Sequence, residues 1–166
     1  MWTGPWPSLE INQLDNSLKL VEALVRTPER GRPDEVTAAL ARFLVVRTCG
    51  YLEQVVEVCC RSLIASKSAP VIASFGGSWL GRGTNPAPEK LAVLAGRFSR
   101  PWADELDELL NRDDQRLRRE IALLVDRRNK IAHGLSEGIG SRKALDLLDP
   151  AREVADWFIL RLDPRS

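Results

Sequence analysis

Apolar positions divide the chain into helical stretches separated by breakers. After Ser8, the residues Leu9, Leu14, Leu18, Leu20, Val21 and Leu24 recur at helical spacings until Pro28, Gly31 and Pro33 interrupt them, which predicts a helix over about 8–28. Pro33, Asp34 and Glu35 then make an N-terminal signature, and only Gly50 interrupts the run to about Lys67. This longest element is the predicted spine. On it Leu40, Leu44, Arg47, Tyr51, Val55, Val58 and Ser62 alternate steps of three and four, so Arg47 stands in an otherwise apolar row. Gly50 costs roughly 1 kcal/mol in a helix interior relative to Ala, and close approach by another helix is its expected compensation.

Beyond the spine, residues 73–88 are rich in Gly and Pro and read as a long connector. Two short helices are expected over about 88–98 and 101–111. Asp113 or Asp114 would then cap a long helix to Leu135, closed by Gly134, Gly138 and Gly140. A last helix covers 144–162, with Pro150 splitting it. No stretch alternates long enough for a sheet and no repeat is present, so the expected class is all-α.

Composition narrows the function classes. A chain of 166 residues with 44% hydrophobic content builds one core, which predicts a single domain with residues 1–7 as a flexible N-terminus. Against 24 basic residues stand 23 acidic ones, for a net charge of +1, so any nucleic-acid binding comes from local patches. Cys49, Cys59 and Cys60 are odd in number and share one predicted helix, which argues against a disulfide framework; Cys49 and Cys60 read as core filler. With one histidine and no paired Cys-x-x-Cys units, neither a metal site nor another cofactor is expected. The N-terminus lacks a basic and apolar leader, and no apolar run approaches membrane-spanning length, so a cytoplasmic protein without membrane contact is expected. The glycines of the connector do not form a P-loop, because no strand precedes them and no Gly-Lys-Ser/Thr follows. Trp79 and Arg82 could be offered from it to a ligand, Arg82 as an RNA contact, or Trp79 could simply be tucked into the core.

The chemistry concentrates in Arg128-Asn129-Lys130-Ile131-Ala132-His133. Leu117, Ile121, Leu124, Ile131 and Leu135 form an apolar stripe, and Arg128 completes it. A guanidinium there must meet a carboxylate, a subunit interface or an anion. His133 projects roughly 140° round from Arg128 at about 100° per residue, with Asn129 and Asp126 on its side; Asp126 could orient or charge the imidazole. Alone, His133 beside Gly134 could be a residue that merely complements the helix C-terminal dipole.

The arginine, a following polar residue, and a histidine after four intervening positions resemble the signature of HEPN domains. The resemblance implies a HEPN-like helical bundle with two long antiparallel helices, 33–67 and 113–135, plus shorter ones. It also implies metal-independent RNA cleavage, in which the ribose 2′-hydroxyl attacks the adjacent phosphate and leaves a 2′,3′-cyclic end. In that chemistry His133 moves protons, Arg128 neutralises the phosphorane and Asn129 holds the geometry. Transesterification gains from both an acid and a base, and the chain has one imidazole, so a two-fold dimer with a composite site is expected. Arg47 and Glu53 are candidate supports for Arg128, although Glu53 and Glu57 could instead make surface pairs such as Glu57 with Arg61. Arg127 and Lys130 are candidate RNA contacts, in a basic cluster with Arg112, Arg116, Arg118 and Arg119 that could equally be a solvated face. Two functions compete. One is an endoribonuclease, as in HEPN toxins and antiviral effectors, with an inhibitory antitoxin-like partner. The other is a HEPN-like scaffold that binds nucleotides or a protein without catalysis.

Overall fold

The computed structural model describes residues 4–80, 85–135 and 138–166, and among them it contains helices and no strand. In chain order they are α1 (Leu9–Arg26), α2 (Asp34–Lys67), α3 (Pro70–Leu80), α4 (Pro88–Phe98), α5 (Arg100–Ala132), α6 (Ser141–Asp146) and α7 (Leu148–Arg161). Ser8 caps α1 by accepting from the Ile11 backbone N–H at 3.3 Å. The spine is α2, which touches α1, α3, α5, α6 and α7. It can do so because Leu44, Val45, Leu52, Val55, Cys59 and Cys60 are fully buried and lie on several sides of the helix, the pattern of a central rather than a surface helix. Leu117, Ile121 and Leu124 of α5 and Ala151, Val154 and Phe158 of α7 close the core around it.

Several expectations are corrected. Residues 73–80 of the expected connector belong to α3, which forms despite Gly76 and Gly77. Packing offsets the helix cost of Gly76, since a Cβ there would meet Ile64 of α2 at 3.2 Å. Gly50, by contrast, admits no close helix: nothing lies within 4 Å of a Cβ built on it. It borders a small cleft with Leu14, Leu18, Arg47 and Tyr51 between α1 and α2. Trp6 of the expected flexible terminus is tied down, its indole N–H donating to the Ile159 carbonyl at 2.8 Å, while residues 1–3 lie outside the described ones. The break in the last helix falls at Leu147, because Pro150 sits in the first turn of α7, where no intrahelical N–H bond is lost.

The separation expected near residue 112 exists as a sharp break within α5. Arg112 is extended, and Asp113, Asp114 and Gln115 follow at φ of 49°, 56° and 60°. The two limbs are therefore redirected by left-handed backbone, and the Asp114 carboxylate goes to Arg119 at 3.1 Å. Gly96 of α4 lies close against Ala103 of the first limb; the second limb carries the motif and meets α2 where Arg128 approaches Glu53.

Candidate functional site

The core stripe of α5 ends where the motif begins. Leu117, Ile121 and Leu124 are buried, Ile131 is half-buried, and Leu135 lies beyond the helix with 57% of its surface exposed. Arg128 thus sits at the rim of the core, its side chain 39% exposed, and not within a sealed apolar face.

Two groups hold its guanidinium. Nη2 stands 3.8 Å from Glu53 Oε2 on α2, and Nη1 donates to Oδ1 of Asn129 at 3.1 Å. A separation of 3.8 Å is an ion pair rather than a short charge-assisted hydrogen bond, so the fork keeps donors for an incoming anion. Glu53 is the more enclosed partner at 18% exposure. Burial pushes its carboxyl above the usual range; the Arg128 charge opposes that shift and the Glu57 charge adds to it. Cys49, one turn before Glu53, shares this environment: burial pushes its thiol up to about 11, against a lowering by Arg128 and with a further rise from Glu53. The sequence reading missed Cys49 as a neighbour of the site, although its spacing of four from Glu53 placed both on one side of α2.

His133 is the C-cap of α5 and exposed. Its backbone N–H bonds to Asn129 O at 3.1 Å, Gly134 N–H to Ile131 O at 3.0 Å, and Leu135 N–H to Lys130 O at 3.0 Å. Those last two bonds, with Gly134 at φ of 72°, make a Schellman cap. The imidazole is therefore carried by a fixed helix end while its ring faces solvent. No hydrogen bond or ion pair joins Arg128 and His133 among the described residues, which agrees with their angular separation.

The other expected site residues are distributed differently. Asp126 meets Lys130 at 3.1 Å rather than His133, the usual outcome for opposite charges four apart on a helix. Arg47 faces the α1–α2 cleft, its Nε buried and without a hydrogen-bond partner, so of the two α2 candidates it is Glu53 that reaches Arg128. Glu57 pairs with Arg61 at 3.4 Å. Arg127 is half-buried. Arg82 and the side chain of Trp79 lie outside the described residues. Much of the basic cluster is neutralised locally: Arg116 meets Glu153 at 3.0 Å, Arg118 bridges Glu89 and Asp107, and Arg119 meets Asp114. Among the described residues no group of three or more His, Cys, Asp or Glu side chains is arranged to hold a metal ion. No described helix is long and apolar enough to cross a membrane.

Comparison with known proteins gives one family assignment. The profile of the family described as RiboL-PSP-HEPN matches residues 9–159, which spans all the helices except the last two residues of α7. Neither the curated proteins nor the solved structures compared gave a match.

Proposed function

The chain belongs to the RiboL-PSP-HEPN family, and from that premise we propose that it is a metal-independent endoribonuclease that cleaves RNA by 2′-hydroxyl transesterification. The observation that carries this reading is the pairing of an anchored cation with a solvent-facing imidazole. Arg128 is held between Glu53 and Asn129 with donors to spare, and the chain's only imidazole caps the same helix five residues on.

In the proposed reaction the 2′-oxygen attacks phosphorus, its proton passes to a base, and the 5′-oxygen leaves with a proton from an acid. Arg128 donates to the non-bridging oxygens as charge builds on them. Asn129 fixes the guanidinium from its own helix and Glu53 fixes it from α2. His133 is a proton carrier, and its exposure at the helix end leaves it open to the substrate. The second proton carrier is the His133 of a second copy, paired about a two-fold axis so that each chain lends its motif to one groove. Such a pairing also brings an arginine and a histidine together that do not meet within one chain.

A toxin or antiviral effector is the cellular role that HEPN endoribonucleases suggest for such an activity, with RNA as substrate and an antitoxin-like protein as inhibitor. A cytoplasmic setting fits the three free and buried cysteines. The second reading is a scaffold that keeps the bundle and binds a nucleotide or a protein at the same groove. The local neutralisation of the basic cluster favours it, because few cations of that helix are left to track an RNA backbone.

The test is the chemistry of the product. RNA cut by the purified protein in EDTA should carry 2′,3′-cyclic phosphate ends, and a mass measurement in solution should show a dimer. Binding of nucleotide or protein at the groove with no cleavage of any RNA would establish the scaffold instead.

A further inference from the structure

Away from the motif, α2, α3 and α4 enclose an open groove of about 790 Å³. Its floor is apolar, formed by Ile64 of α2, Leu80 of α3 and Phe98 of α4, and Val93 stands in it with 60% of its surface exposed. Lys90 and Arg97 line it seven residues apart on α4, hence on one side of that helix and about 10 Å apart along it. Neither makes an ion pair or a side-chain hydrogen bond among the described residues. Glu89, the acid of the same rim, is already engaged by Arg118 at 3.0 Å. Among the described residues the groove is thus greasy below and carries two uncompensated positive charges above.

We propose that this groove docks an acidic amphipathic helix of a partner protein. Its apolar stripe would lie on the floor, with carboxylates two turns apart reaching Lys90 and Arg97. Exposed apolar surface rimmed by polar groups is the mark of an interaction site, and the charge pattern states what the occupant must carry. A second copy of the chain fits less well. A two-fold axis through the groove would set Lys90 and Arg97 against their own images, with the local acid already used. The proposal stands whether or not Arg128 and His133 are catalytic, and its test reads binding alone.

The probe is a fluorescent, hydrocarbon-stapled helical peptide with leucines along one face and glutamates flanking them, together with a twin in which lysines replace the glutamates. The full chain should bind the acidic peptide and not the basic one. The double variant Lys90→Glu, Arg97→Glu should weaken the acidic peptide about tenfold or more, consistent with two rim charges, and should gain binding to the basic twin. Val93→Asp, at an exposed position that folding tolerates, should weaken the acidic peptide as well. Equal binding of both peptides, or undiminished binding of the acidic one by the reversed variant, would overturn the proposal. So would either alternative occupant: a dimer that Val93→Asp converts to monomer, or anionic vesicles bound through Lys90 and Arg97 by a chain that ignores the peptide.

Discussion

The Arg128 guanidinium on α5 stands 3.8 Å from the Glu53 carboxylate on α2, at the point where the apolar stripe of α5 leaves the core. Because burial raises the Glu53 carboxyl above its ordinary value, the folded chain holds that proton more tightly than the unfolded chain. Its contribution to stability is therefore full below the ordinary carboxylate range and is lost as pH rises through the folded value. Glu53→Gln removes this loss, so its stability relative to the parent should improve from acid toward neutral pH. Urea denaturation at a series of pH values checks this; a flat or falling difference would contradict it.

The cap that presents His133 depends on Gly134 at φ of 72°. Gly134→Ala forces a Cβ into that conformation, although the space around it is open. We expect a loss of about 1 kcal/mol in stability from the backbone alone. Activity at saturating RNA should fall further than the unfolded fraction explains, since the helix end that carries the imidazole shifts. Parallel denaturation and cleavage measurements separate the two effects.

Asp113 occupies the left-handed region at φ of 49° in the break of α5. Asp113→Gly should stabilise the chain by up to about 1 kcal/mol, because glycine adopts that conformation without steric cost. At a regular helical position the same change would instead cost about 0.3 kcal/mol, the gap between aspartate and glycine in helix propensity, so the sign of the effect reports whether the helix is broken there.

All three cysteines are free and buried, with Cys49 pushed up to about 11 and Cys60 to about 12 chiefly by desolvation, and Cys59 pushed higher still. Thiolate is thus scarce at mildly alkaline pH in the folded state. A thiol reagent such as iodoacetamide should leave the native protein unlabelled and label it fully in denaturant. Rapid native labelling at Cys49 would show that the α2–α5 contact opens more readily than this packing allows.

The bounds of α2 were legible because its apolar residues ring the helix and its start carries Pro33, Asp34 and Glu35. The family was legible too, from six residues at the end of α5 and its cap. Less legible was anything decided by a neighbour. Gly76 and Gly77 read as breakers, and only the fit of Gly76 against Ile64 shows why a helix survives there. Arg128 read as buried because the stripe was extended to Leu135, whereas the helix ends at Ala132 and the stripe leaves the core earlier. Arg47 and Glu53 were both candidates for Arg128, since a helix with apolar residues on every side does not reveal which neighbour takes which face. Packing gives Glu53 to α5 and turns Arg47 toward α1.

The central claim is that Arg128 and His133 form a ribonuclease site, and cleavage of mixed RNA in EDTA tests it most directly. The parent protein should cut RNA, and Arg128→Ala and His133→Ala should each lower the rate at least a hundredfold, the scale of losing one general acid–base group or one oxyanion donor. Both variants should keep the parent's circular dichroism. Cleavage that persists undiminished in either folded variant would contradict the account.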